Sequence, residues 1–219
     1  MDNTHRIQNN HIMAENEKRD FIKIIRKMPW LYQPIIEALT PHIKTSSSLL
    51  DVACGDGYLL ELINARFLGL NLSGIDIDPY FIDRAKKNYT FNFEARDAFG
   101  LAKSYDILVC NLALHHFHDP ILLIKKLLNC TNNFFILSDQ LRPSTEVELN
   151  NRLEKRKNFI GAKETSFYRE NEKSSILEAY SKKEIEEMVG KVSQTEKVKA
   201  HVKFIDTDYY ERFVIVFEK

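Results

Sequence analysis

Asp51, Asp76, Asp97 and Asn111 stand at the ends of four short apolar runs, and a turn with glycines at alternate positions, Gly55 and Gly57, follows the first of them. Carboxylates accept hydrogen bonds from hydroxyls and amines, and a carboxamide both donates and accepts. Glycines let the main chain approach a ligand closely and adopt angles closed to other residues. Asp56, between the glycines, is placed to cap a following helix. Just past Asn111 come His115 and His116, whose imidazoles suit the removal of a proton near neutral pH. The competing reading is that they cap the next helix or pack under Phe117. Asp139, after a fifth apolar run, is a secondary candidate base. His115, His116, His118 and Asp119 cluster, but the spacing matches no zinc pattern, and no metal is expected.

These residues need strands to align them. The periodicity predicts β-strands over 49–53, 70–75, 91–95, 105–111 and 133–138, with helices over 58–67, 79–89 and 120–128 between them. Pro79 and Pro120 fit first helical turns, and Asp78 fits the N-cap ahead of Pro79. Strict alternation of strand and helix implies right-handed crossovers and a parallel sheet. Such sheets bind ligands along the carboxyl edge, where the candidate residues fall. Ahead of the sheet, residues 14–28 and 30–43 read as two amphipathic helices. The face bearing Lys18, Lys23, Arg26 and Lys27 reads as solvated, with a lid over the site as the functional alternative. Residues 1–10 read as loose. After the fifth strand, 145–158 reads as a helix, followed by a less regular segment with Phe159, Phe167, Tyr168 and Tyr180. A capping box, Ser181 to Glu184, opens a helix to Val189 with Gly190 as its stop. Strands over 197–204 and 212–217 form a terminal antiparallel hairpin through Asp206-Thr207-Asp208.

The run Asp51-Val52-Ala53-Cys54-Gly55-Asp56-Gly57 resembles the first motif of class I S-adenosylmethionine (SAM) dependent methyltransferases, with alanine at 53 where that family often has glycine. The run from Tyr105 through Asn111-Leu112 to His115-His116-Phe117 is similar to the family's fourth-strand pattern. The resemblance implies a Rossmann-like α/β fold: a seven-stranded, mostly parallel sheet with an antiparallel last strand and helices on both faces. It further implies that Asp51 and the turn Ala53, Gly55, Asp56 and Gly57 hold the methionine portion of SAM. Asp76, with Ile77, would hold the ribose; Asp97, with Ala98, the adenine; Asn111 and Leu112 would lie under the sulfonium. The product would be S-adenosylhomocysteine. The Asn/Asp-Pro-Pro-Tyr/Phe clamp of enzymes that methylate planar nitrogens is absent, which turns the reading from nucleic-acid bases.

The 219 residues suit one domain: N-terminal helices as a lid (1–45), a SAM-binding core (46–142), a substrate-side insertion (143–180) and a last helix with the hairpin (181–219). Lys+Arg and Asp+Glu both number 31, an even balance that favours a small-molecule acceptor over long nucleic acid. Cys54, Cys110 and Cys130 give an odd count without paired spacing, pointing to reduced thiols and a cytoplasmic protein. No membrane-length apolar run and no signal-peptide core occur. The expected activity is methyl transfer to an oxygen of a small metabolite, in a monomer or homodimer. Two alternatives stay open. An RNA methyltransferase would show a continuous cationic stripe from Lys18, Lys23, Arg26 and Lys27 to the run Arg152–Lys157. A SAM-binding regulator would bind cofactor without transferring methyl.

Overall fold

The computed structural model describes residues 13–160, 166–206 and 211–219, with side chains at those positions except 158–160 and 166–168. Five parallel strands, β1 (Ser48–Val52), β2 (Asn71–Asp76), β3 (Asn92–Ala95), β4 (Tyr105–Asn111) and β5 (Thr131–Gln140), are followed by β6 (Lys199–Asp206) and β7 (Glu211–Glu218). They form a seven-stranded sheet in the order β3-β2-β1-β4-β5-β7-β6. β7 alone runs antiparallel, between β5 and β6. The register places Val52 beside both Ile75 and Cys110, and Asn111 beside Ser138, so the carboxyl ends of the parallel strands are level.

Apolar side chains alternate along β4 because both faces are covered. Ile107 and Val109 enter one core with α2 (Gln33–Leu39), α3 (Tyr58–Arg66) and α4 (Pro79–Asn88). Leu108 and Cys110 enter the other with α5 (Pro120–Asn129) and α8 (Lys182–Glu196). Each fully buried Leu or Ile here contributes about 1.5–3 kcal/mol. The helix starts follow local chemistry: Asp78 accepts the Tyr80 N–H at 3.0 Å, Asp119 accepts the Leu122 N–H at 2.9 Å, and Ser181 and Glu184 close the capping box.

Three expectations change. The second N-terminal helix is a short α2 between two 3₁₀ turns, Pro29–Leu31 and Thr40–His42, because each turn begins or carries a proline. Gly190 does not stop α8. A glycine inside a helix costs roughly 1 kcal/mol, but buried Ile185, Met188, Val189 and Val192 carry the helix to Glu196, where Lys197 takes the left-handed turn at φ 55°. The segment after α6 (Glu146–Ile160) is a further helix, α7 (Ser166–Glu178). Of its aromatics, Tyr180 is buried in the core. The side chains of Phe159, Phe167 and Tyr168, residues 1–10, and the link Thr207-Asp208 lie outside the described residues. No helix among the described residues is long and apolar enough to cross a membrane.

Candidate functional site

The chain leaves β1 through Ala53 (φ 59°), Gly55 (φ 53°) and Gly57 (φ 82°). The two glycines serve different ends. A Cβ on Gly55 would meet nothing within 4 Å among the described residues, so that face of the turn is open to a ligand. A Cβ on Gly57 would lie 2.7 Å from the Phe93 ring, so Gly57 lets β3 pack close. Asp76 ties the turn in place. Its Oδ2 accepts the Gly55 N–H at 2.9 Å and its Oδ1 accepts the Asp78 N–H at 2.9 Å. Burial pushes the Asp76 carboxyl up while these two donors pull against it. Lone pairs remain on both oxygens for a diol.

Asp51 is 2 % exposed, and its Oδ2 is buried without a hydrogen-bond partner among the described residues. Burial pushes this carboxyl well above its ordinary range, and Asp76 nearby adds to the effect. The Asn111 Nδ2 is buried and unpartnered in the same way. An orphaned carboxylate and an orphaned amide at neighbouring strand ends are what a ligand with a cationic and a polar end would satisfy. SAM fits that demand, since its ammonium can donate to the Asp51 oxygen and its carboxylate and hydroxyl oxygens can accept from the Asn111 amide. Asp97 is exposed and accepts the Phe99 N–H at 3.0 Å, opening the 3₁₀ turn Ala98–Gly100 with Ala98 buried. Ile77 leaves its apolar side chain 73 % exposed beside Asp76. Leu112 has φ 57°, which swings the chain outward after β4.

Asp56 is a correction. It does not cap α3; Gly57 is the N-cap, and among the described residues no side-chain cap bond closes that end. Instead its Oδ2 receives Arg26 Nε at 3.0 Å and Nη2 at 2.6 Å. A guanidinium–carboxylate bond is roughly twice as strong as a neutral N–H bond, so the carboxylate turns to Arg26. Arg26 follows α1 (Glu15–Ile25), and Lys18 on the same helix reaches Asp78 at 2.5 Å. The face read as solvated is therefore, at these two positions, clamped to the rim.

α1 and α7 face each other across a cavity of about 210 Å³ at the ends of β4 and β5. Phe21, Ile24, Ile25 and Met28 line one side; Gln140, Ser174, Ser175 and Glu178 line the other. Of the residues predicted to hold SAM, only Leu112 lines it, and both His115 and His116 do. His115 is 3 % exposed in a 3₁₀ turn (Leu114–His116), held by Asp139: Nδ1 lies 2.8 Å from Oδ2, and its backbone N–H donates to the same oxygen at 3.1 Å. Burial disfavours an ionised Asp139, but the His115 ring and the N–H donors of His115 and Gln140 outweigh it and hold the carboxyl below its usual range. Asp139 is thus bonded to His115 through both its ring and its backbone N–H. His116 is 63 % exposed into the cavity, with Nδ1 3.7 Å from Glu178. The protein around it and the His115 ring 4.0 Å away push its imidazole down.

Sequence reasoning missed Gln140, Ser175 and Arg212. Ser175 Oγ lies 2.8 Å from His115 Nε2 and accepts Gln140 Nε2 at 2.7 Å. Arg212, fully buried on β7, donates to Asn111 Oδ1 at 2.7 Å, Ser138 Oγ at 2.9 Å and the Leu31 carbonyl. The signal for Arg212 was available: period-2 alternation places it on the same face as Val214, which is core.

A methyltransferase-domain family model matches residues 24–209. The chain belongs to that family. As a SAM-dependent methyltransferase domain it has the seven-stranded, mostly parallel sheet with an antiparallel last strand that the resemblance implied. It is 31% identical over 121 residues to a ribosomal protein L11 methyltransferase of Dictyoglomus turgidum (strain DSM 6724 / Z-1310), covering 52% of this chain and 40% of that protein. It is 28% identical over 104 residues to a malonyl-[acyl-carrier protein] O-methyltransferase of Acetivibrio thermocellus, covering 45% of this chain and 36% of that one. The chain therefore aligns with less than half the length of these relatives. Its fold matches the plantazolicin methyltransferase BpumL in complex with a triazolic desmethylPZN analog and SAH, with a TM-score of 0.74 at 18% identity over 94% of this chain and 92% of that one.

Proposed function

We propose that the domain transfers the methyl group of SAM to an oxygen of a small molecule, with His115 as the proton acceptor and Asp139 as its orienting group. SAM, when bound, supplies an electrophilic methyl on a positive sulfonium. Asp51, Ala53, Gly55 and Gly57 would hold its methionine end. Asp76 with Ile77 would hold the ribose, Asp97 with Ala98 the adenine, and Asn111 with Leu112 the region of the methyl. Asp56 acts at one remove, through Arg26 and α1. The N-terminal helices and the 143–180 insertion would roof the acceptor.

One observation carries the oxygen assignment: an imidazole just past β4 held through Nδ1 by a buried carboxylate of β5. That bond fixes the tautomer with the proton on Nδ1 and leaves Nε2 basic. A carboxylate acceptor is already ionised and would need no such group; an alcohol or phenol needs one. The cationic stripe required for RNA is largely consumed. Lys18 and Arg26 pair with Asp78 and Asp56, Arg152 pairs with Glu211 at 3.0 Å, and Arg156 pairs with Glu172.

The test uses the whole chain with methyl-tritiated SAM and a panel of phenols, alcohols, amines, carboxylic acids, RNA and ribosomal protein. Label in a phenol or alcohol is the expected result. Label only in amines would overturn the oxygen assignment, label only in carboxylic acids would overturn His115 as the proton acceptor, label only in RNA or ribosomal protein would overturn the small-molecule acceptor, and calorimetry without SAM binding would overturn the reading entirely. His115→Ala should lower kcat about 10²–10⁴-fold with SAM affinity unchanged.

A further inference from the structure

His115 cannot meet an acceptor directly in this arrangement. It is 3 % exposed, Nδ1 is taken by Asp139, and Nε2 is covered by the Ser175 hydroxyl at 2.8 Å. Ser175 is partly exposed and lines the cavity. The direction of every bond around it is fixed by the two ends of the chain of contacts. Arg156 only donates, and its Nη2 lies 3.4 Å from Gln140 Oε1. Gln140 must then present its NH₂ to Ser175 Oγ, at 2.7 Å. Asp139, ionised, only accepts, so His115 carries a proton on Nδ1, and a neutral ring, the form that can act as a base, then accepts at Nε2. Ser175 therefore donates its hydrogen to His115 and keeps a lone pair toward the cavity. A serine inside a helix more often bonds back to the carbonyl four residues earlier. This one reaches instead to a buried imidazole from another element.

We propose, resting on the function above, that Ser175 is the residue that touches the acceptor and relays its proton to His115. As the acceptor oxygen is methylated, its O–H bond breaks and that proton bonds to Ser175 Oγ. The original Ser175 hydrogen passes to His115 Nε2. The imidazolium so formed is stabilised by Asp139 and later returns the proton to water. The serine hydroxyl is regenerated, and no charge is left on it. Gln140, through its bond to Oγ, keeps the hydroxyl aimed along this path.

Two measurements test the relay on the full chain. The first needs neither SAM nor acceptor: nitrogen-15 resonances of the His115 ring. The wild type should show the neutral Nδ1-protonated form, and Ser175→Ala should move the Nε2 resonance as that nitrogen loses its donor. An unmoved resonance in a folded variant overturns the relay alone. The second is kinetic, with the alcohol or phenol found by the tritium panel. Ser175→Ala should lower kcat about 10²-fold with KM little changed, and Ser175→Thr, which keeps a hydroxyl, should restore most of it. The double variant Ser175→Ala/His115→Ala should be no slower than His115→Ala alone, since the two act in series. A Ser175→Ala enzyme as fast as the wild type, or faster, would make Ser175 a plug that the acceptor displaces, and would overturn the relay. A panel without an oxygen acceptor overturns the proposed function and the relay with it.

Discussion

The rim formed by β1 and β2 and the cavity beyond β4 are built by different means. At the rim, a seven-residue run supplies the turn, and one acid on the next strand fastens it through backbone N–H groups. Beyond β4, the hydrogen-bonded side chains come from four separated stretches: His115, the pair Asp139 and Gln140, Arg156, and Ser175. A site made of backbone is spelled locally, because the glycines and the acid must sit at fixed spacing. A site made of side-chain bonds requires only that the fold bring its members together. The first is legible in a sequence and the second is not. The two halves meet at Asn111, whose Oδ1 is held by Arg212 from the far strand β7.

Arg212→Ala tests that junction and should have the largest effect. It strips donors from the Leu31 carbonyl, Asn111 Oδ1 and Ser138 Oγ, all in a dry interior. Unsatisfied buried acceptors cost about 1–3 kcal/mol each. Even with relaxation, urea denaturation should show a loss of at least about 3 kcal/mol, and the cavity side should loosen with it. A loss under about 1 kcal/mol would mean that water replaces the guanidinium and that the two halves are not joined there.

Asp76→Ala tests the claim that the rim is backbone-made. SAM affinity should fall by about 1.5–3 kcal/mol, the scale of hydrogen bonds to a charged group. Because Asp76 also accepts the Gly55 and Asp78 N–H groups, stability should fall in the same variant. Weaker binding with unchanged stability would separate ligand contact from turn fastening and break the local account.

That double duty shows where sequence reading stopped. The placement of Asp76 at a strand end was legible, as were the alternation of strand and helix, the glycine turn and the helix caps at Asp78 and Ser181. These follow from spacing and propensity over a few residues. What α1 does was not, because Lys18 and Arg26 look the same in a string whether they face water or Asp78 and Asp56. Nor was the length of α8, since buried contacts overrode Gly190. Ser175 sits in a polar helix with no periodic signal to set it apart from Ser174.

Asp51→Asn should produce opposite effects on the two functions of the rim. In the folded chain the Asp51 carboxyl is raised by burial and by Asp76, so folding favours its protonated form. The stability from that form is complete below the unfolded pKa, about 3.9, and is lost as pH rises through the raised folded value. Asparagine removes the buried charge. Without ligand at neutral pH the variant should gain about 0.5–2 kcal/mol, in the manner of a site that trades stability for function. Near the unfolded pKa and below it, the gain should vanish, because wild-type Asp51 is then neutral too. SAM affinity should be lost at neutral pH. Equal stability of the two proteins at both pH values would show that the carboxylate is already satisfied and is not waiting for a cation.

Ala53→Gly should give the smallest change, and its sign is instructive. Ala53 sits at φ 59°, where an L-residue is strained by roughly 1–2 kcal/mol. Glycine relieves that strain but loses more freedom on folding, about 0.5–1 kcal/mol. The difference leaves a net gain of up to about 1.5 kcal/mol by denaturant titration, with SAM affinity little altered. A loss of stability would mean that the Ala53 methyl, packed against the core under β1, contributes more than its backbone angle costs. The alanine would then be a packing choice that this chain makes at a turn where the motif favours glycine. The rim would depend, at that one position, on a side chain after all.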